Sequence, residues 1–296
     1  MIATRRRFRS KLEVRAALAP RVNWASPQSR GLVAWWPLSA CTGSVAPDVF
    51  KAGHGTAAQL DWRADAAFGA VPQFDGSGEV LFSDAHLPVG ASPRTLCAWV
   101  NFSELPVYPS IWGALFYGSN SDDHGLMIGA GNDSQWNIPG CLGVSLWGQE
   151  VTTPQAYHDG AWHHLTAAFD GVLWAVYVDG NLQNIKPLLT DTQPGSGSIG
   201  GVNDGPTYRW KGLIRDARIY ERRLSAEEIR SLYDPTTRFD LWLPRGRWSA
   251  ESTAELAYLV GAAQICMTGP DSGYVQTAGA AAGELTAPGA LSGEVR

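Results

Sequence analysis

The most informative alternation of apolar and polar positions is a strand-like run enclosed by two Asp-Gly pairs. Residues 172–178 lie between Asp170-Gly171 and Asp179-Gly180. An Asp-Gly pair between alternating apolar runs supplies the positive φ angles that a type I′ hairpin turn needs. We therefore predict two hairpin tips that share one middle strand.

Both faces of this predicted strand are apolar. One face carries Val172, Trp174, Val176 and Val178, and the other carries Leu173, Ala175 and Tyr177. Because successive side chains of a strand point to opposite faces, both faces require a covering layer. The pattern favours one layer of a β-sandwich.

Other strand-like runs recur at short intervals, with Gly, Pro, Asn and Asp clusters between them. They are Gly31–Leu38, Gln73–Phe74, Val80–Phe82, Thr95–Phe102, Ile111–Tyr117, Gly125–Ile128, Cys141–Trp147, Trp162–Phe169 and Leu213–Tyr220. Many short strands without intervening helical periodicity predict an all-β, antiparallel sandwich. One short helix is expected after Ser225, where Glu228 completes a capping box and Pro235 follows the predicted end.

Composition and charge divide the chain of 296 residues into three zones. We predict a basic N-terminal arm at 1–28, a sandwich domain at 29–235 and an extended C-terminal arm at 236–296. The last zone is rich in small residues and contains few large apolar groups, so it cannot bury enough surface to fold alone. We expect other subunits to order it.

The remaining composition excludes several classes of protein. The net charge of -5 gives no general case for nucleic-acid binding, and no run approaches the length of a membrane span. The four cysteines have neither metal-type spacing nor a disulfide framework, which fits assembly in a reducing cytoplasm. No signal-peptide core is recognisable near the N-terminus.

Ordered motifs along the central zone match a known family. They are Gly31-Leu-Val-Ala-Trp-Trp-Pro-Leu38, Gly53-His-Gly-Thr56, Phe74-Asp-Gly-Ser-Gly78, Thr95-Leu-Cys-Ala-Trp99, Trp162-His-His-Leu165, Tyr177-Val-Asp-Gly180, Ile199-Gly-Gly201, Gly212-Leu-Ile-Arg-Asp-Ala-Arg-Ile-Tyr220 and Leu224-Ser-Ala-Glu-Glu-Ile229. Together they resemble the concanavalin A-like, laminin-G-like jelly-roll domains over residues 30–235. The segments that flank this match resemble single-domain versions found in tailed-phage genomes.

This resemblance implies a virion component, assembled in the host cytoplasm. We expect a non-enzymatic structural or decoration protein, forming a homo-oligomer and anchored by its arms to a capsid or tail protein. The expected assembly contacts are Arg5, Arg6, Arg7, Arg9, Trp24, Trp242, Leu285 and Leu291. The alternative is a glycan- or receptor-binding module of a phage head or tail fibre.

The resemblance also implies a calcium site, in which an Asp of the first loop and an Asp near the penultimate strand share a cation with loop carbonyls. Asp48, Gly53 and Asp216 are the corresponding candidates. The expected acidic pair reads Arg215-Asp216, so Arg215 either replaces a ligand, salt-bridging Asp48 in place of the ion, or leaves Asp216 to bind it.

Candidate glycan-binding residues come from loops rich in polar and aromatic residues, because aromatic rings stack on sugar faces and amides or carboxylates bond hydroxyls. They are Asn120, Asp122, Asp123, Trp136, Asn203, Tyr208 and Trp210. The same composition also fits ordinary turns that cover a core. No Glu-x-Asp-x-x-Glu strand of the related glucanases is present. His163 and His164 cannot serve one site, because adjacent strand residues face opposite ways. We assign no catalytic residue.

Overall fold

The computed structural model is a sandwich of two antiparallel sheets. It describes residues 21–38, 45–50, 53–58, 60–65, 67–107, 110–119, 121, 124–132, 136, 138–202, 208–238, 240–243, 276–277 and 285–286. The predicted all-β class and the antiparallel jelly-roll sandwich are confirmed.

Sheet I has the strand order β15-β14-β13-β8-β17-β6-β5, with β2 also paired to β17. Its strands are β2 (Leu32–Trp36), β5 (Asp61–Asp65), β6 (Gly69–Asp75), β8 (Arg94–Asn101), β13 (His163–Phe169), β14 (Leu173–Val178), β15 (Asn181–Pro187) and β17 (Lys211–Tyr220).

Sheet II has the order β12-β11-β10-β9-β16-β7-β4-β3. Its strands are β3 (Val45–Ala46), β4 (Gly55–Ala58), β7 (Glu79–Phe82), β9 (Ser110–Gly118), β10 (Gly125–Asn132), β11 (Cys141–Ser145), β12 (Glu150–Ala156) and β16 (Ser196–Ile199). Two short pairs complete the described strands: β1 (Arg21–Val22) with β18 (Trp242–Leu243), and β19 (Gln276–Thr277) with β20 (Leu285–Thr286).

The main core fills the space between the sheets and contains fully buried aromatic side chains such as Trp36 and Trp174. The outer face of sheet I carries a second apolar cluster, which includes Trp35 and Tyr220. Helix α1 (Ala226–Tyr233) covers it with Ile229 and Leu232. Both faces of sheet I are therefore covered, as the strand pattern predicts.

The local signals for helix and turns differ in how well they predict the backbone. Ser225 and Glu228 form the expected capping box at the start of α1. Asp179 and Gly180 both have positive φ angles, as a type I′ turn requires. The first tip differs, because only Gly171 has a positive φ and the Asp170 carboxylate accepts the backbone N–H of Val172.

Segments assigned to the two arms lie against the sandwich. Residues 21–22 pair with residues 242–243, and the backbone N–H of Asn23 donates to the carbonyl of Leu241 over 2.8 Å. Leu241 is fully buried in the outer cluster of sheet I. The folded unit thus extends beyond 29–235 at both ends. Within the described residues, no helix has the length and hydropathy needed to cross a bilayer.

One pair of sheet edges meets along β12 and β15. The side-chain amide of Asn184 donates to the carbonyl of Thr152 over 2.8 Å, and Lys186 Nζ donates to the carbonyl of Glu150 over 3.4 Å. Side chains of one sheet thus bond backbone groups at the edge of the other.

Candidate functional site

The outer face of sheet II is a surface on which half-buried aromatic side chains lie near polar ones. Four residues lie opposite one another across the neighbouring strands β9 to β12. In strand order they are Phe116, Met127, Ser145 and Glu150. The first three are buried, although they face away from the main core. Side chains from turns and loops therefore cover this part of the sheet.

Trp147 provides part of that cover from the turn between β11 and β12. Ser145 pairs with Glu150, and the turn residues Trp147 and Gly148 have φ angles of 54° and 104°. A left-handed backbone is costly for a residue with a β-carbon, by about 1–3 kcal/mol, and persists only where contacts enforce it. The Trp147 ring makes such contacts.

The Trp147 ring lies between a buried and a surface aromatic ring. Its centroid is 5.7 Å from that of Phe116 and 6.2 Å from that of Tyr208, with the Tyr208 ring inclined by 40°. Trp147 and Tyr208 are both half-buried. We call these two side chains the aromatic shelf.

Hydrogen-bonding groups lie on the same outer face. Ser145 Oγ donates to Glu150 Oε1 over 3.0 Å and accepts the backbone N–H of Trp147 over 3.2 Å. Next to Tyr208, Arg209 Nη2 donates to Glu79 Oε1 over 2.7 Å. An aromatic surface with fixed polar neighbours is suited to a ligand with both apolar faces and hydroxyl groups.

Among the predicted glycan-binding residues, the structure supports only Tyr208 as a surface position. Trp136 and Trp210 are fully buried, so their assignment as sugar-stacking residues is wrong. Trp136 packs in the outer cluster of sheet II, and the Trp210 ring lies 5.1 Å from that of Phe102. Asn120, Asp122, Asp123 and Asn203 lie outside the described residues.

Gly131 leaves the space that Trp136 fills, and we expect Gly131→Ala to lower the free energy of unfolding by about 1–3 kcal/mol through overpacking. A β-carbon at Gly131 would overlap Trp136 Cδ2. Urea denaturation of the two proteins measures the loss. The double variant with Trp136→Leu should destabilise by less than the sum of the single effects, and simple additivity would contradict the contact.

Trp147 escaped sequence analysis because the strand pattern placed it at the end of a predicted strand. Its signal was the following glycine, since Trp147 and Gly148 are the two central residues of the turn between β11 and β12 and both have the positive φ of a type I′ turn. Composition alone did not distinguish this tryptophan from the buried ones.

The predicted calcium residues already have protein partners. Asp48 Oδ1 accepts the backbone N–H groups of Trp35 and Phe50, and Asp48 Oδ2 accepts that of Gly53 over 3.1 Å. The carbonyl of Gly53 accepts the indole N–H of Trp36 over 3.0 Å. These groups fix the first loop against β2.

Asp216 is committed to a buried ion pair. Its Oδ2 lies 2.7 Å from Arg218 Nη2, and its Oδ1 accepts from Trp35 Nε1. Arg215 is also buried and donates to the carbonyl of Leu38. In the described part of the chain, no group of three or more His, Cys, Asp or Glu side chains could hold a metal ion. The arrangement does not fit the expected oxygen shell, and calcium stays a prediction.

The adjacent histidines face opposite sides of sheet I, as predicted. His163 Nδ1 lies 2.8 Å from Asp179 Oδ2, and its Nε2 lies 3.2 Å from Asp159 Oδ1. Although burial lowers the pKa of His163, its hydrogen bonds and the charges of both aspartates outweigh this, so that the pKa is raised. The Asp179 carboxylate also accepts the backbone N–H of His164.

His164 lies on the outer face, with its ring 5.1 Å from that of Trp99. Burial, together with the positive charge of Arg218, lowers the pKa of His164 to about 4. It is therefore neutral at pH 7. The two histidines support the hairpin and the face packing, and they do not form one site.

The fold that carries this face is a sandwich of two antiparallel sheets packed face to face. The family comparison agrees, since the family model described as "Concanavalin A-like lectin/glucanases superfamily" matches residues 74–230. The chain belongs to this superfamily.

Solved structures of the same fold include parts of carbohydrate-active enzymes. One is domain 4 of AbnA, an extracellular GH43 arabinanase from Geobacillus stearothermophilus, solved with arabinotriose. It is 19% identical, with a TM-score of 0.50, over 69% of this chain and 98% of that domain. Trypanosoma rangeli sialidase with sialic acid is 21% identical, with a TM-score of 0.52, over 76% of this chain and 37% of the sialidase.

A third structure is the binding domain of Paraclostridial Mosquitocidal Protein 1, 13% identical with a TM-score of 0.50, over 70% of this chain and 52% of that domain. The prediction that the protein is not an enzyme is wrong, because the arabinanase and the sialidase show this fold within enzymes. A missing glucanase motif does not exclude an enzymatic role. At these identities the likenesses establish the fold alone.

Proposed function

We propose that the protein binds a carbohydrate chain on the outer face of sheet II, with the aromatic shelf as the stacking surface. The observation that carries this proposal is the left-handed backbone of Trp147, which holds a large, half-buried ring at a hairpin tip. Gly or Asn would relieve the backbone strain at this position. In this chain the contacts of the Trp147 ring with Phe116 and Tyr208 offset the backbone strain.

The chemistry of the face suits a sugar. Aromatic faces bury the C–H surface of a pyranose or furanose ring, while fixed polar groups bond its hydroxyls. Glu79 and Arg209 hold each other in place beside Tyr208, and Glu150 is bonded to Ser145. The complex of the arabinanase domain with arabinotriose supports an oligosaccharide as the class of ligand.

The test is isothermal titration of the full chain against a panel of oligosaccharides that includes arabinotriose. We expect Trp147→Asn to weaken binding of the best ligand at least about tenfold, because truncating an anchoring aromatic side chain costs more than about 1.4 kcal/mol. Asn also suits a positive φ, so the variant should remain folded.

Trp24→Ala is the matched control, because Trp24 is 67% exposed on the N-terminal segment and contacts Phe50. It should leave the affinity unchanged. Equal loss in both variants would show that exposed tryptophans act nonspecifically. If no oligosaccharide in the panel binds the unmodified chain, carbohydrate recognition by this face is wrong.

The virion role stays a prediction from the flanking segments. Of the expected assembly contacts, Arg5, Arg6, Arg7, Arg9 and Leu291 lie outside the described residues. Trp242 and Leu285 lie in short strands, β18 and β20. Trp24 is a surface residue. A carbohydrate-binding sandwich is compatible with the predicted alternative of a phage receptor-binding module.

A further inference from the structure

A set of four aromatic side chains lies together at one end of sheet I, and two of them face a cation of the same chain. The set consists of Phe68, Trp99, Trp162 and Tyr233, which we call the aromatic cage. The centroid of Phe68 is 5.0 Å from that of Trp99 and 4.8 Å from that of Trp162. Tyr233 stacks on Trp99 at 5.7 Å, with 27° between the ring planes.

Arg238 places its guanidinium group in this cage. The Cζ atom lies 5.4 Å from the centroid of Phe68 and 5.5 Å from that of Trp99. Both distances are within the range of about 6 Å over which a ring quadrupole attracts a cation. Arg238 is half-buried, and this loss of hydration lowers the pKa of its guanidinium group. Partial desolvation strengthens a cation–π interaction.

The backbone after helix α1 directs Arg238 towards the cage. The N–H of Arg238 donates to the carbonyl of Asp234 over 2.8 Å, and the Asp234 carboxylate accepts from the backbone N–H of Thr236. Leu241 then enters the outer apolar cluster of sheet I. The rings of the cage are held in position, because Phe68 and Trp99 are buried and Trp162 Nε1 donates to Asp65 over 3.0 Å.

We propose that Phe68, Trp99, Trp162 and Tyr233 form a binding site for a guanidinium or alkylammonium group, which Arg238 occupies in this chain. Trp162, Tyr233 and Arg238 are each half-buried, so the open side of the site faces solvent. Occupation by Arg238 fixes the path of the chain that follows α1. This site is separate from the aromatic shelf and does not depend on carbohydrate binding.

The charge is tested first by substitutions of Arg238 in the full chain. The thermal midpoint of Arg238→Met should lie about 2–4 °C below that of the unmodified chain, because the variant loses a partly desolvated cation–π contact. Arg238→Lys keeps the charge and should lose less. Arg230→Met is the matched control, because Arg230 is exposed on α1 and should not change the midpoint. Equal stability of Arg238→Met and the unmodified chain would overturn the proposal.

Chemical rescue then tests the site directly. Arg238→Ala leaves the cage open, and methylguanidinium or tetramethylammonium chloride should raise its thermal midpoint and change its tryptophan fluorescence saturably. Sodium chloride at equal concentration should do neither, and the unmodified chain should not respond. Adding Tyr233→Leu to Arg238→Ala should abolish the response. An unsaturable response, or one shared by the unmodified chain, would show that these rings do not form a cation site.

If Arg238→Ala does not fold, the comparison of Arg238→Lys with Arg238→Met decides the question. A lysine variant that is more stable than the methionine variant supports recognition of a cation. A methionine variant that is equally or more stable contradicts it, because both side chains fill a similar volume.

Discussion

Replacing Asp216 by Asn is expected to lower the free energy of unfolding by about 3–5 kcal/mol, which is the usual cost of breaking a buried ion pair at one partner. Asp216 and Arg218 are 4% and 2% exposed, and two hydrogen bonds of 3.0 and 2.7 Å join them. Arg218 also donates to Gln28 Oε1 over 3.1 Å. Without the carboxylate, the guanidinium group keeps only neutral partners.

Asparagine isolates the effect of the charge. Asp216 has a φ of 55°, a region that Asn tolerates and Ala does not, so the variant adds little backbone strain. Urea denaturation of Asp216→Asn measures the loss, and Asp61→Asn on an exposed position is the control, expected within about 0.5 kcal/mol of the unmodified chain. A loss below about 1 kcal/mol for Asp216→Asn would show that water or other groups compensate Arg218.

Acidification is expected to cost about 3 kcal/mol of stability through His164 alone. Its pKa is about 4 in the folded chain, against an ordinary value of 6.5. Between these values the unfolded chain binds the proton and the folded chain does not, so stability rises with pH. The contribution is complete above pH 6.5 and is lost as the pH falls towards 4.

The His164→Gln variant tests this expectation, since it removes the titrating group. Its free energy of unfolding should vary less between pH 4 and 6.5 than that of the unmodified chain. His163→Gln is the matched control, because the contribution of His163 to stability changes with pH in the opposite direction. The raised pKa of His163 stabilises the fold below pH 6.5, and this contribution is lost as the pH rises through the folded value. Parallel curves for His164→Gln and the unmodified chain would exclude His164 as the cause.

The sequence predicted those elements whose signals are local. The capping box at Ser225 and the type I′ turn at Asp179-Gly180 depend on neighbouring residues only, and both occur. Strand β15 was missed because Asn181–Pro187 is polar and exposed, without an alternating apolar face. Strand β12 was missed as well, and its Pro154 is tolerated because β12 is an edge strand.

The site was harder to predict than the fold because the exposure of a ring depends on how it packs in three dimensions, which local composition does not specify. Trp136 and Trp210 follow loop-like segments rich in Gly, Asn and Asp, whereas Trp147 stands at the end of a predicted strand. Trp136 is buried because Gly131 on β10 leaves room for its ring, whereas Trp147 stays half-buried where it packs over the outer cluster of sheet II. Neither relation can be read from the residues next to the tryptophan.

The contacts between β12 and β15 have a consequence for aggregation. An open sheet edge is a template for pairing with another chain, and proteins block such edges by side chains, charge or shortness. Here Asn184 and Lys186 block one side of the sandwich. At the other side β3 has only two residues, and β5 carries Asp61, Arg63 and Asp65. Growth of fibres by edge-to-edge pairing is therefore disfavoured, and partners are expected to approach the faces of the sheets.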